Sequence, residues 1–170
     1  MSKEIKSTST YKKYGRILTA QQERINLAEL KKEMITLHLS RKSSELDSPK
    51  NFLSHRFLME VTGQERRIRA RLVLLRMRLE TAYNTMLDAN KAFARYVVAR
   101  HANKLVNYKT KEARQNYIQH IIEDGVNYLG EISDLVKNIE FLIKDIDSAG
   151  FTVNNFVALH ELTNERGKVN

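Results

Sequence analysis

The chain has 170 residues, one domain's worth and enough for a substantial core. One proline, six glycines and no tryptophan suit an all-helical protein, and the absence of cysteine excludes a disulfide frame or a thiolate metal site. The net charge of +9 is uneven: residues 1–119 carry +14 and residues 120–170 carry −5. The basic part suits a polyanion and the acidic end a basic protein surface, unless the two neutralise each other.

Residues 1–18 are polar, with Tyr11, Lys12, Lys13, Tyr14 and Arg16 clustered. Such a segment buries too little apolar area to offset its ordering entropy, so it reads as a flexible basic arm. Thr19 with Gln22 forms a capping box, predicting a helix from Ala20 to about Ser40 within residues 19–41. Ile25, Ala28, Ile35 and Leu39 lie near one face of it, with Leu27, Leu30, Met34 and Leu37 off that face. Residues 42–50, with Ser48 before Pro49, read as the linker to a helical hairpin domain over 51–170.

In that domain Phe52, Leu53, Phe57, Leu58 and Val61 share a helical face. Thr62 and Glu65 form a second capping box around Gly63, where a kink or break is expected. A long helix then runs from Gln64 to about Tyr108. Its seam is Ile68, Leu72, Leu75, Leu79, Ala82, Met86, Ala89 and Phe93, at alternating spacings of four and three. Asn107 to Thr110 reads as a turn. A second long helix spans Lys111 to Ser148, with Tyr117, Ile121, Tyr128, Ile132, Leu135, Ile139, Leu142 and Ile146 as its seam. Asp124 sits where an apolar residue would fit, and Gly125 and Gly130 allow another helix to approach closely. Gly150 is the expected stop, followed by a short helix capped by Thr152 and stapled by Phe151 and Phe156. The fold class is therefore all-α, an elongated long-helix hairpin or coiled-coil bundle with a short C-terminal helix.

The histidines never pair with a second ligand at metal spacing, and no glycine-rich loop follows a strand. No catalytic residue, metal or cofactor is expected, and the chain does not read as an enzyme. The candidate site is the block Arg66, Arg67, Arg69, Arg71, Arg76 and Arg78, assisted by Lys12, Lys13 and Arg16. The block flanks the seam on both edges, so a parallel homotypic coiled coil would set arginine against arginine. Anions are therefore needed there. They can come from carboxylates of the same fold, such as Glu131, Asp134, Glu140, Asp145 and Asp147, from an acidic partner protein, or from nucleic-acid phosphate. Phosphate contacts imply slight sequence preference, and Tyr96, Tyr108 and Tyr117 could add stacking on single strands. No apolar run reaches the roughly 18 residues of a membrane span, and Met1 to Thr19 lacks a signal-peptide core, so a cytoplasmic protein without membrane contact is expected.

The stretch from Leu135 to Phe151, LVKNIEFLIKDIDSAGF, running on to about Gly167, resembles the UvsY recombination mediators of T-even-like phages. The basic helix from Arg66 to Arg78 would occupy the place of that family's DNA-contacting segment. The resemblance covers the last two-thirds of the chain. It implies an oligomeric single-stranded-DNA-binding accessory protein that helps load a recombinase while a single-strand-binding protein is displaced, in a bacterial host cytoplasm if phage-encoded. The alternative is a structural or assembly protein, a virion or secretion-apparatus component whose long helices are packing surfaces.

Overall fold

In a computed structural model the described residues are 5–43 and 54–166. They are helical with no strand among them, an all-α fold. The helices are α1 (Ser9–Arg24), α2 (Leu27–Leu39), α3 (His55–Arg100), α4 (Ala102–Leu105), α5 (Lys111–Ile121) and α6 (Glu123–Arg166). The chain forms two compact units. One comprises Met1–Ala28 with Arg78–Val136, and the other Glu29–Met77 with Lys137–Asn170. Each unit draws on two separated stretches of the chain.

In the first unit α1 corrects the reading of a flexible arm. The helix starts at Ser9, not Ala20: Thr8 is the N-cap, its hydroxyl accepting from the Tyr11 N–H. Tyr14 and Leu18, one turn apart, are buried. The Tyr14 ring stacks on Phe93 at 4.8 Å, and its hydroxyl donates to Asn90 Oδ1 at 2.7 Å. Tyr14 and Leu18, both within the stretch read as an arm, thus supply the buried area that orders the segment. Gly125 makes the arrangement possible, because a Cβ there would lie 2.0 Å from the Tyr14 hydroxyl and 2.5 Å from Asn90 Oδ1. The close approach expected at Gly130 does not occur; a Cβ there would meet nothing within 4 Å. Thr19 and Gln22 lie inside α1, and the chain turns instead at Ile25, an extended C-cap. The second predicted long helix is interrupted at Ile122, whose N–H donates to both Ile118 and Gln119 carbonyls. The expected turn near Tyr108 is present, with Thr110 capping α5.

In the second unit the interruption before α2 resets the helical phase. Leu30 and Met34 become the buried pair, while Ile35 and Leu39 are exposed, the reverse of the expected face. Helix α3 passes through Gly63 without a break, and α6 passes through Gly150. Thr62 and Thr152 therefore cap nothing; their hydroxyls donate back to the carbonyls of Leu58 and Ser148. The cause is packing. Leu58, Val61 and Val153 form a fully buried cluster, joined by Phe57, Phe156 and Val157. Each such burial is worth about 1.5–3 kcal/mol, against roughly 1 kcal/mol for a glycine inside a helix. The expected Phe151–Phe156 staple is absent, since both residues lie within α6 and Phe151 is 70% exposed.

The long-helix seams hold in both units. Ile68, Leu72 and Leu75 in one, and Leu79, Ala82, Met86 and Phe93 in the other, are buried as spaced. Ala89 is displaced by its neighbour Asn90, which is buried instead because it receives Tyr14. On α5 and α6, Ile121, Tyr128, Ile132, Leu135, Ile139, Leu142 and Ile146 are buried, whereas Tyr117, expected at the start of that seam, is only half-buried. The expected Ser48–Pro49 cap, Phe52 and Leu53 lie outside the described residues.

Candidate nucleic-acid interface

The seam that buries Ile68, Leu72 and Leu75 turns the arginines of α3 to its flanks and outer side. In the second unit α3 and α6 run antiparallel, so the flank arginines meet the acidic residues of α6. Arg69 donates twice to Asp147, from Nε at 2.6 Å and Nη2 at 3.2 Å. Arg76 lies 3.8 Å from Glu140, and Arg71 pairs with Glu33 of α2. The Asp147 and Glu33 hydrogen bonds, reinforced by their charge, raise the pKa values of Arg69 and Arg71. Carboxylates of the same fold, one of the three suppliers considered, therefore serve these three arginines.

The remaining basic residues differ. Arg67 donates to the Gly63 carbonyl of its own helix at 3.2 Å. Arg66 and Arg78 are exposed and have no ion pair among the described residues. In the first unit Lys12, Lys13 and Arg16 share the exposed face of α1, opposite Tyr14 and Leu18, again without an ion pair among the described residues. The aromatic side chains expected to stack on bases largely stack on each other. Tyr96 lies against Phe93 at 5.9 Å, and Tyr108 against Tyr117 at 5.2 Å.

Two grooves accompany these residues. In the first unit a groove of about 470 Å³ beside Tyr11 and Tyr128 carries Asp124 and Glu131, whose charge repels phosphate. In the second unit a groove of about 390 Å³ lies between α3 and α6, with Arg66 and Arg69 on one side and Phe151 and Asn154 on the other.

A buried polar clamp beside that groove was not foreseen. Arg41, which follows α2, donates its Nε–H to both oxygens of Glu65 and Nη1 to Asp145. Burial opposes the Arg41 charge, but the hydrogen bonds to Asp145 and Glu65 outweigh it and raise its pKa. The Gln64 amide donates to the Ser40 carbonyl at 2.7 Å and accepts from the Lys42 N–H at 3.2 Å. A sequence signal existed: carrying the seam backward from Ile68 by three and four residues reaches Glu65 and Val61.

Among the described residues no group of three or more His, Asp or Glu side chains could hold a metal ion. No described helix is long and apolar enough to cross a membrane. No family model, curated protein or solved structure matches this chain.

Proposed function

We propose that this chain is a non-enzymatic, nucleic-acid-binding accessory protein. The observation that carries the reading is the division among its basic side chains. Arg69, Arg71 and Arg76 are matched by carboxylates, whereas Lys12, Lys13, Arg16, Arg66, Arg67 and Arg78 have none among the described residues. Exposed cations held on helices without local counter-ions are what a polyanion displaces salt from. The family resemblance adds the finer terms: single-stranded DNA as ligand, recombination or repair as setting, and an oligomer that assists a recombinase or competes with a single-strand-binding protein.

Fluorescence anisotropy of a labelled single-stranded oligonucleotide, at low and near-physiological salt with duplex as competitor, tests it. Binding that weakens steeply with salt and prefers single strands supports the reading. No binding at low salt overturns it.

A second reading, a structural or assembly protein, draws on the paired arginines and on exposed Leu74, Met77 and Phe141. It expects oligomerisation without salt-sensitive affinity for nucleic acid.

A further inference from the structure

We infer that the groove between α3 and α6 in the second unit is a nucleotide subsite: Phe151 stacks a base and Arg66 holds the adjoining phosphate. This rests on the nucleic-acid reading and assigns it a place.

The groove, at about 390 Å³, falls within the roughly 300–1,000 Å³ of small-ligand sites. Phe151 is 70% exposed although the buried Val61 and Val153 line the same groove. A phenyl ring left in water at the lip of a groove has an open face, and any base can stack on it. Gly150 also lines the groove, and a Cβ there would meet nothing within 4 Å, so the groove is open at that position.

Charge selects the ligand class. Two carboxylates line the groove, and both are engaged: Glu65 by Arg41, and Asp147 by Arg69. Arg66 is exposed and makes no ion pair among the described residues. Its planar fork suits a phosphate. Asn154, on the same wall as Phe151, offers an amide to a base edge. An aromatic face, a guanidinium and an amide around one groove describe a nucleotide better than a bare anion. A duplex offers no unstacked base, so the subsite favours single strands.

The chain has no tryptophan, so Phe151→Trp in the whole 170-residue chain places a single reporter in the groove. Titration with an oligothymidylate should quench this tryptophan in step with the anisotropy signal. Phe151→Ala should weaken single-strand binding about tenfold. The ring is exposed, so its removal should leave folding intact, and circular dichroism checks this. Arg66→Gln should weaken binding and flatten the logarithmic salt slope by about 0.7. Undiminished binding by Phe151→Ala, with no quenching of the tryptophan, overturns the subsite while the nucleic-acid reading stands. Absence of single-strand binding by the wild-type chain overturns both. Quenching by an acidic, aromatic-containing peptide but not by DNA overturns the subsite in favour of a protein ligand.

Discussion

Glu65 accepts the Arg41 Nε–H on both carboxylate oxygens, at 3.1 Å each, with both side chains less than a tenth exposed. The pair ties the segment after α2 to the first third of α3, and Asp145 on α6 completes it. Removing one member leaves the other charged and buried. Arg41→Met should therefore cost about 3 kcal/mol in urea unfolding. Combining it with Glu65→Leu should recover much of that loss, because the desolvation penalty goes with the second charge. A double variant no better than the single one would mean that the clamp stabilises by geometry rather than by charge matching.

Gly125 and Gly130, five residues apart on α6, should respond oppositely to alanine. At Gly125 the new methyl meets Tyr14, Asn90 and Met86 at 2.0–2.9 Å. Overpacking of this kind costs about 1–3 kcal/mol, more than the roughly 1 kcal/mol gained in helix propensity. At Gly130 nothing lies within 4 Å, so the propensity gain stands alone and stability should rise. Thermal melts of the two variants decide the matter; a stabilised Gly125→Ala would contradict the Tyr14 seat.

Much of the fold was legible in the sequence because long-helix packing repeats. Once Ile68, Leu72 and Leu75 fix the phase, the alternation of four and three predicts burial as far as Phe93 at every position but Ala89, where Asn90 is buried instead. What was not legible was decided by contacts distant in sequence. Gly63 and Gly150 look like breaks until the buried cluster of Leu58, Val61 and Val153 is known. The segment from Ser9 looks too polar to order until Tyr14 finds Phe93 and Asn90, more than seventy positions away. The arginine block was visible, but spacing alone could not tell which members face a carboxylate. That depended on the antiparallel register setting Arg69 against Asp147 and Arg76 against Glu140.

The buried Tyr14 links the stability of the fold to alkaline pH. Burial, and then the Asp124 carboxylate, push the Tyr14 hydroxyl up to about 12 from its ordinary value of 10.0. The unfolded chain thus loses this proton before the folded one does. The stabilisation is fully present below about pH 10 and is lost as pH rises toward 12. Denaturant unfolding between pH 9 and 11.5 should show a steady fall in stability. Tyr14→Phe should reduce that slope without abolishing it, since burial and Glu131 also raise Tyr128. At neutral pH the same variant should cost about 1–2 kcal/mol, because the Asn90 carbonyl loses its donor. An unchanged alkaline slope would mean that Tyr14 reaches solvent.

The two classes of basic residue separate in a paired experiment. Replacing Lys12, Lys13 and Arg16 by Gln removes three charges from an exposed helix face that has no carboxylate partner among the described residues. Helical content should not change, and affinity for single-stranded DNA should fall. The logarithmic salt slope should flatten by roughly 0.7 for each phosphate no longer neutralised, about 2 if all three side chains contribute. Replacing Arg69, Arg71 and Arg76 instead removes charges already engaged by Asp147, Glu33 and Glu140. The carboxylates left behind are partly solvated, so stability should change little. Affinity should fall less, and the salt slope should flatten less, because those arginines exchange one anion for another when DNA binds. Equal reductions from the two triplets would show that phosphate displaces the internal carboxylates readily. A larger reduction from the second triplet would return the centre of the interface to the paired arginines of α3.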